Sequence, residues 1–312
     1  MPERFSNTDP AVRPRFDRFV RWSVVDRITG RRRKSPGSAP VEVVEVAPGP
    51  VDEPSALWLG HATALLSIGG VRVLTDPVFA PRLGGFIRRN VAVPIEPEAL
   101  PPVALVLISH NHRDHLDRDS VRRVEAHHRP RYVVPLGVDA YLKAWGVPAD
   151  RIDALSWWGE IAPLPGASDL RVACVPAQHW SQRTPFDRNA SLWGGFVLRA
   201  EGRSIYFAGD SGYFDGFGEI GRRFPKLDLA LIPIGAYDPE WFMAPQHMNP
   251  EEAGRAFLAV GAARMISIHW GTYKLTDEPL DEPPARLLDW ERAERIEAGR
   301  LLILPVGGRL GL

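Results

Sequence analysis

The residues best suited to chemistry lie in one short stretch, Ile108-Ser109-His110-Asn111-His112-Arg113-Asp114-His115-Leu116-Asp117. Three of the chain's nine histidines fall within it, beside Asp114, directly after the apolar run 103–108. A run of alanine, leucine, valine and isoleucine reads as a buried strand. His110 therefore stands at a strand end, where side chains can converge on something bound. His110 and His112 are two apart, so an extended backbone points both the same way. Asp114 and His115 follow where the chain should turn, and make a second cluster beside the first. Imidazoles and a carboxylate packed this densely repel or desolvate one another unless a cation holds them, and this donor mixture suits zinc or iron. A polar loop that merely happens to hold histidines accounts less well for the alternating spacing after a core strand.

The same order recurs along the chain. His179 follows the apolar run 172–175, Asp210 follows 205–208, and His269 follows 265–268. In a layered sheet fold, strand ends on one edge converge on a shared crevice. The candidate ligands are His110, His112, Asp114, His115, His179, Asp210 and His269. One closed structural zinc takes about four ligands. A set this large points to two ions that share a carboxylate and keep open positions for water and substrate.

The elements that must position these residues alternate between strands and helices. Short apolar segments at 55–59, 64–68 and 71–75 read as strands, the last two joined by Gly69-Gly70 as a hairpin turn. Further strands are expected at 131–135, 171–175, 192–199, 204–208, 227–234, 265–268 and 301–305. Helices are expected at 118–127, 138–145, 250–260 and 285–298. Strands broken by helices predict one layered α/β domain whose sheets are covered by helices, over 51–312.

Residues 1–50 form a distinct basic arm. Nine basic residues lie between Ala11 and Lys34 against Asp17 and Asp26, and Phe16, Phe19, Val20 and Val24 recur at helical spacing. Such a helix suits either the surface of an anionic membrane or an arm packed on the domain with a solvated arginine face. Arg31-Arg32-Arg33-Lys34, followed by Ser-Pro-Gly-Ser, reads as a flexible joint.

The 312 residues are 45% hydrophobic and 24% charged, with zero net charge, so no global field favours nucleic acid. Cys174, the only cysteine, excludes an internal disulfide and reads as inert core. No apolar run approaches a membrane span, and the start, Met1-Pro2-Glu3-Arg4, lacks the apolar core of a secretory signal. A cytoplasmic location, with peripheral contact at the inner face of the membrane, is the expectation. The oligomeric state is not legible.

His110-Asn111-His112-Arg113-Asp114-His115 matches the HxHxDH signature of the metallo-β-lactamase fold, and the later His, Asp and His come in that family's order. Within it the chain resembles the N-acylphosphatidylethanolamine-hydrolysing phospholipase D group. The similar segments are Trp58-Leu59-Gly60-His61-Ala62, Leu74-Thr75-Asp76-Pro77, Gln178-His179-Trp180, Leu192-Trp193-Gly194 and Phe207-Ala208-Gly209-Asp210-Ser211-Gly212-Tyr213. Ile232-Pro233-Ile234-Gly235-Ala236-Tyr237, Trp241-Phe242-Met243 with Gln246-His247, and Ile268-His269-Trp270-Gly271-Thr272 are more specific to that branch. The resemblance covers roughly 55 to 285.

The resemblance implies a four-layer αββα sandwich and two divalent ions, zinc or else manganese or iron. His110, His112 and His179 would hold one ion, Asp114, His115 and His269 the other, and Asp210 would bridge them. Asp76 and His61 would stand behind the ligands. Trp180, Tyr237, Trp241, Phe242 and Met243 would face substrate. The reaction expected at such a site is attack of a bridging hydroxide on a phosphodiester, with the leaving oxygen taking its proton from metal-bound water or from His247. The products would be phosphatidic acid and an N-acylethanolamine. Rival readings are a metal-dependent lactonase or small-ester hydrolase, a metallonuclease with the arginine arm on phosphates, and a metal-retaining binding protein without turnover.

Overall fold

Alternate residues of the first strands face two different cores. In β1 (Ser55–Gly60), Ala56 and Trp58 belong to one buried cluster and Leu57 and Leu59 to another. In β2 (Thr63–Ile68), Ala64, Leu66 and Ile68 side with the first and Leu65 with the second. The strand period of two thus divides one sheet between an inner core shared with a second sheet and an outer core under helices. The computed structural model describes residues 4–12, 15–32, 35–47, 54–165 and 169–312.

The first sheet has seven strands: β16 (Arg309–Gly311), β1, β2, β3 (Val71–Thr75), β6 (Leu105–Leu107), β7 (Arg131–Pro135) and β8 (Ile152–Leu155), in that order. The second has β15 (Leu301–Leu302), β14 (Arg264–Ile268), β13 (Leu229–Pro233), β12 (Arg203–Phe207), β11 (Gly195–Ala200), β10 (Arg171–Val175) and β9 (Glu160–Ile161). Each sheet is antiparallel at one side and parallel at the other, from β3 to β8 and from β12 to β15. Helix α3 (Arg118–His128) covers the first sheet with Val121 and Val124, joined by Leu142 of α4 (Asp139–Ala144). The second sheet is covered by α5 (Gly216–Arg223), α7 (Pro250–Val260) and α8 (Glu282–Ala293), through Phe217, Ile220, Phe257 and Leu287. This is the four-layer α/β sandwich of the metallo-β-lactamase fold.

Two helix starts fix the loops that precede them. Asp117 caps α3, its Oδ2 accepting from the Ser120 backbone at 2.9 Å, so the loop 109–116 ends at a fixed point. Asn249, two residues after His247, forms a reciprocal capping box with Glu252 on α7, with Pro250 at the helix's first position. Each cap contributes about 1 kcal/mol.

Several elements depart from expectation. The last helix runs Glu282–Ala293 rather than 285–298, because Pro283 and Pro284 fall in its first turn, where a missing N–H costs little. α5 was not foreseen, since its three glycines mask the apolar pair Phe217 and Ile220. One of them, Gly221, has a reason: a Cβ there would lie 2.7 Å from the Val260 carbonyl of α7. The short pair β4 (Arg82–Leu83) and β5 (Ile87–Arg88) around Gly84-Gly85 and the edge strands β8, β9 and β16 were also not foreseen.

The arm forms one continuous helical stretch: α1 (Phe16–Val20), a π turn (Arg21–Val25) and α2 (Asp26–Ile28). The Trp22 indole donates to Asp277 at 2.7 Å, and Arg32 pairs with the same carboxylate at 2.8 Å while its guanidinium lies 4.0 Å over the Trp22 ring. Arg32 is therefore an anchor where a flexible joint was expected; Arg33 and Lys34 lie outside the described residues.

Candidate metal centre

The strand before the histidines stops at Leu107, and residues 109–116 coil rather than extend. The His115 and Leu116 amides both donate back to the His112 carbonyl, at 3.1 and 2.8 Å. His110 and His112 still meet, but through this turn and not through a shared strand face. Asp76, at the end of β3, holds the loop: its Oδ1 accepts from the Ser109 amide at 2.7 Å, and its Oδ2 from the Ser109 hydroxyl and His115 Nδ1, both at 2.6 Å. Arg183 donates to the carbonyls of Asn111 and Leu116 at 2.9 and 2.6 Å, clamping the loop from the other side. Gly209 brings the Asp210 strand end against this loop, since it has φ +61° and any Cβ would lie 2.6 Å from that of Ser109.

Two donor clusters result. His110, His112 and His179 make one, and Asp114, His115 and His269, with His61, make the other; within each the donor atoms lie within 4.8 Å of one another. Asp210 lies between them, with Oδ2 3.1 Å from His115 Nε2 and 3.9 Å from His179 Nε2, and Oδ1 3.2 Å from His269 Nε2. All seven expected ligands come together. His61 is nearer than expected, its Nε2 3.1 Å from Asp114 Oδ2.

The orientation of the rings fits a bound cation. His110 Nδ1 bonds the Ser109 hydroxyl at 2.9 Å, His179 Nδ1 donates to the Gln246 carbonyl at 2.9 Å, and His115 Nδ1 donates to Asp76. Each such bond places a proton on Nδ1 and turns Nε2 inward, the orientation metal-binding histidines require. His112 Nδ1 faces His110 Nε2 at 2.9 Å and His179 Nε2 at 3.1 Å. One N–H can point squarely at only one of two acceptors, whereas a cation meets all three nitrogens at once. Among the described residues Asp210 Oδ1 and the outer nitrogens of His112 and His269 are buried without a hydrogen bond, a cost that native sites carry for a reason. The residues present therefore fit metal binding.

Burial and charge split the titration of the site. Burial holds His110 and His179 well below the ordinary imidazole value, and lowers His112 to about 4 and His61 to about 3. Burial also opposes protonation of His115, but Asp210, Asp114 and Asp76 outweigh it and hold His115 well above the usual value. His269 is raised to about 9 against burial by Asp210 and Asp114. Asp114 and Asp210 resist burial through His115 and His269 and stay well below the carboxylate range. His61, Asp76 and His269 all take left-handed backbone, at φ 52°, 33° and 63°. Such conformations cost about 1–3 kcal/mol each and cluster at functional sites.

His112, Asp114 and His247 are the partly open members, marking the mouth. His247 Nδ1 lies 3.8 Å from Asp210 Oδ2 and its ring 5.2 Å from His179, so it joins the cluster although no strand precedes it. Trp180 packs edge-on against His112 at 4.7 Å. In the short helix α6 (Glu240–Met243), Phe242 is buried beside Trp22, and Met243 takes a contact from the Gln246 amide at its sulfur. Trp241 carries Arg21 over its ring at 4.5 Å. Tyr237, expected at substrate, is instead buried, with its hydroxyl on Glu282 at 2.5 Å and Arg286 over its ring; it sits in a turn that packs on α8. Sequence reasoning gave no role to Ser109, Gln246 or Asn7, whose side chain or carbonyl braces a ligand; Ser109, adjacent to the signature, and Gln246, in the segment with His247, carried a signal, and Asn7 carried none.

The comparisons agree with this geometry. Residues 71–270 match the family model of the β-lactamase superfamily domain. An uncharacterized protein of Mycobacterium tuberculosis is 40% identical over 94% of this chain and 79% of its own length. N-acyl-phosphatidylethanolamine-hydrolyzing phospholipase D 1 of Caenorhabditis elegans is 40% identical over 74% of this chain and 68% of its own. The mitochondrial enzyme of that name from Saccharomyces cerevisiae is 37% identical, and the match spans 50% of it. An isothiocyanate hydrolase from Delia radicum gut bacteria shares the fold at TM-score 0.65 and 21% identity, over 83% of this chain and 99% of that one. The chain belongs to the β-lactamase superfamily of metal-dependent hydrolases, among relatives named as N-acyl-phosphatidylethanolamine-hydrolyzing phospholipases D.

Proposed function

We propose that the chain is a two-metal phosphodiesterase of the phospholipase D type, acting on N-acylphosphatidylethanolamine-like phospholipids. The observation that carries this reading is Asp210, whose carboxylate lies within 4 Å of His115, His269 and His179 and so between the two clusters. In this reading His110, His112 and His179 hold one divalent ion, Asp114, His115 and His269 the other, and Asp210 both. Zinc suits this imidazole and carboxylate set, as do manganese and iron. Two such ions, when bound, would supply water activation near neutral pH and neutralise charge on phosphoryl oxygens. The relatives of that name at 40% and 37% identity support the substrate class.

The chain's own residues supply orientation. Asp76 and Ser109 fix the tautomers of His115 and His110. His61 holds Asp114. His247, partly open at the mouth with Nδ1 3.8 Å from Asp210 Oδ2, would orient a substrate oxygen or pass a proton to the leaving oxygen. Water adds to phosphorus, the bond to the ethanolamine oxygen breaks, and the water's proton ends on that oxygen, giving phosphatidic acid and an N-acylethanolamine.

No helix of the described residues is long and apolar enough to cross a membrane. The arm's arginines and its exposed Val24 and Val25 would instead rest on an anionic surface, with salt-sensitive affinity. Flotation with anionic vesicles at low and high salt checks this. The function itself is tested by incubating metal-loaded protein with bis(p-nitrophenyl) phosphate, an N-acylated phospholipid and a lactone side by side. Cleavage of both phosphodiesters is expected; cleavage of the lactone alone contradicts the reading.

A further inference from the structure

The short pair β4–β5 carries a charge arrangement that the metal centre does not use. In its register Arg82 stands opposite Arg88, and Leu83 opposite Ile87. The strand period of two sends Leu83 and Ile87 into a small core with Val78 and Tyr273 and leaves both arginines exposed. Like charges directly opposite each other destabilise a strand pair. Among the described residues neither guanidinium has an ion pair to relieve this. Arg89, the next residue, is partly buried and donates to the carbonyls of Leu59, Val78 and Val91 and to the Tyr273 hydroxyl, at 3.0 to 3.2 Å. These partners are neutral oxygens, so its charge is fixed in place without being cancelled. Gly60 makes room for it, since a Cβ there would lie 2.8 Å from Arg89 Nη2.

All three arginines line one recess of about 560 Å³ beside residues 90–93. The recess has a fourth cation, Arg123 of α3, and that one is paired with Glu96 and Glu98. Glu96 is the carboxylate among the lining residues and is therefore already taken. Three guanidiniums are left around an open recess without a counter-charge. Guanidinium forks suit phosphate oxygens, and such charge-assisted hydrogen bonds are the strong ones. We propose that this recess binds a phosphate dianion or a phosphomonoester, gripped by Arg82 and Arg88 with Arg89 as the fixed charge beside them. An anion between the two opposed arginines replaces their repulsion with attraction. The site shares no residue with either donor cluster and stands whatever the metal centre hydrolyses.

Calorimetric titration of inorganic phosphate into the metal-loaded full chain, at constant ionic strength, tests this against Arg82→Ala/Arg88→Ala. Phosphate on the metals is common to both proteins, so the recess is read as the difference between them. The wild type should bind one more phosphate per chain, and Arg88→Gln alone should weaken that component at least tenfold. Arg88→Gln also serves if the double variant does not fold. Arg171→Ala/Arg222→Ala removes two exposed charges from β10 and α5 and should titrate as the wild type. Superimposable titrations of wild type and Arg82→Ala/Arg88→Ala overturn the site. An equal loss in Arg171→Ala/Arg222→Ala overturns it too, because the effect is then one of diffuse charge. Heating adds a second readout: phosphate should raise the Tm of the wild type above any gain in the double variant, and equal gains contradict the site. Phosphatidylcholine vesicles with and without phosphatidic acid separate the two sources of the anion. Sedimentation that needs phosphatidic acid, is displaced by phosphate and is lost in Arg82→Ala/Arg88→Ala identifies a lipid headgroup. Phosphate binding without such sedimentation identifies the free anion.

Discussion

The side-chain oxygen of Asn7 accepts both the backbone amide of His179, at 3.0 Å, and the indole N–H of Trp193, at 3.2 Å. A residue of the arm thus holds the backbone of a candidate ligand more than 170 positions away. Replacing Asn7 with alanine strands the buried His179 amide, at a cost of about 1–3 kcal/mol, while the Trp193 indole keeps the Ala177 carbonyl at 2.9 Å. Asn7→Ala should lower Tm and weaken metal retention by the cluster of His110, His112 and His179. Calorimetry with chelator competition measures both, and an unchanged Tm and metal affinity would show the contact to be idle.

Asp76 makes no contact with a metal in the proposed arrangement, yet three hydrogen bonds at 2.7 Å or less run from it into the ligand loop. Asp76→Asn removes one acceptor facing Ser109 or His115 while keeping the shape. Losses of about 10–100-fold in metal affinity are typical for such partners. Chelator competition should return a loss of that size, with the fold retained by circular dichroism.

Metal uptake should release protons at neutral pH. His115 is held well above its ordinary value, and His269 is raised from 6.5 to about 9. Both are protonated at pH 7 without metal, whereas His110, His112, His179 and His61 are neutral. A raised folded pKa means that the ion pairs of His269 with Asp210 and Asp114 stabilise the metal-free protein fully below about pH 6.5. That stabilisation fades as pH rises through about 9. Metal affinity runs the opposite way and should climb over the same window. Calorimetric titration at pH 7 in buffers of differing ionisation enthalpy should show proton release from His115 and His269; no release would contradict the assignment.

The fold and the ligand set were legible in the sequence for the same reason. Apolar runs such as 171–175 and 264–268 announce strands, and each ends at a histidine or aspartate that the sheet edge then gathers. His110 and His112 converged, though through a turn that strand periodicity does not describe. Asp76 was legible as a brace, whereas the bracing roles of Gln246 and Asn7 were hidden. Gln246 uses a backbone carbonyl, and Asn7 belongs to an arm that composition sets apart from the domain. Tyr237 was misplaced because resemblance gives its position in a motif, while Glu282 decides where its hydroxyl goes.

Removing either central carboxylate separates charge from geometry. Asp114→Asn and Asp210→Asn keep the volume but lose an anion from beside His115 and His269. Both should fall to background hydrolysis, with Asp210→Asn also losing metal from both clusters because it faces both.

The most direct measurement is metal content per chain, determined on the same preparation that is assayed with bis(p-nitrophenyl) phosphate while metal is returned stepwise to chelated protein. The account predicts two ions per chain and hydrolysis that appears only as the second ion binds. Full activity at one ion per chain, or no diester cleavage by protein carrying two, would contradict it.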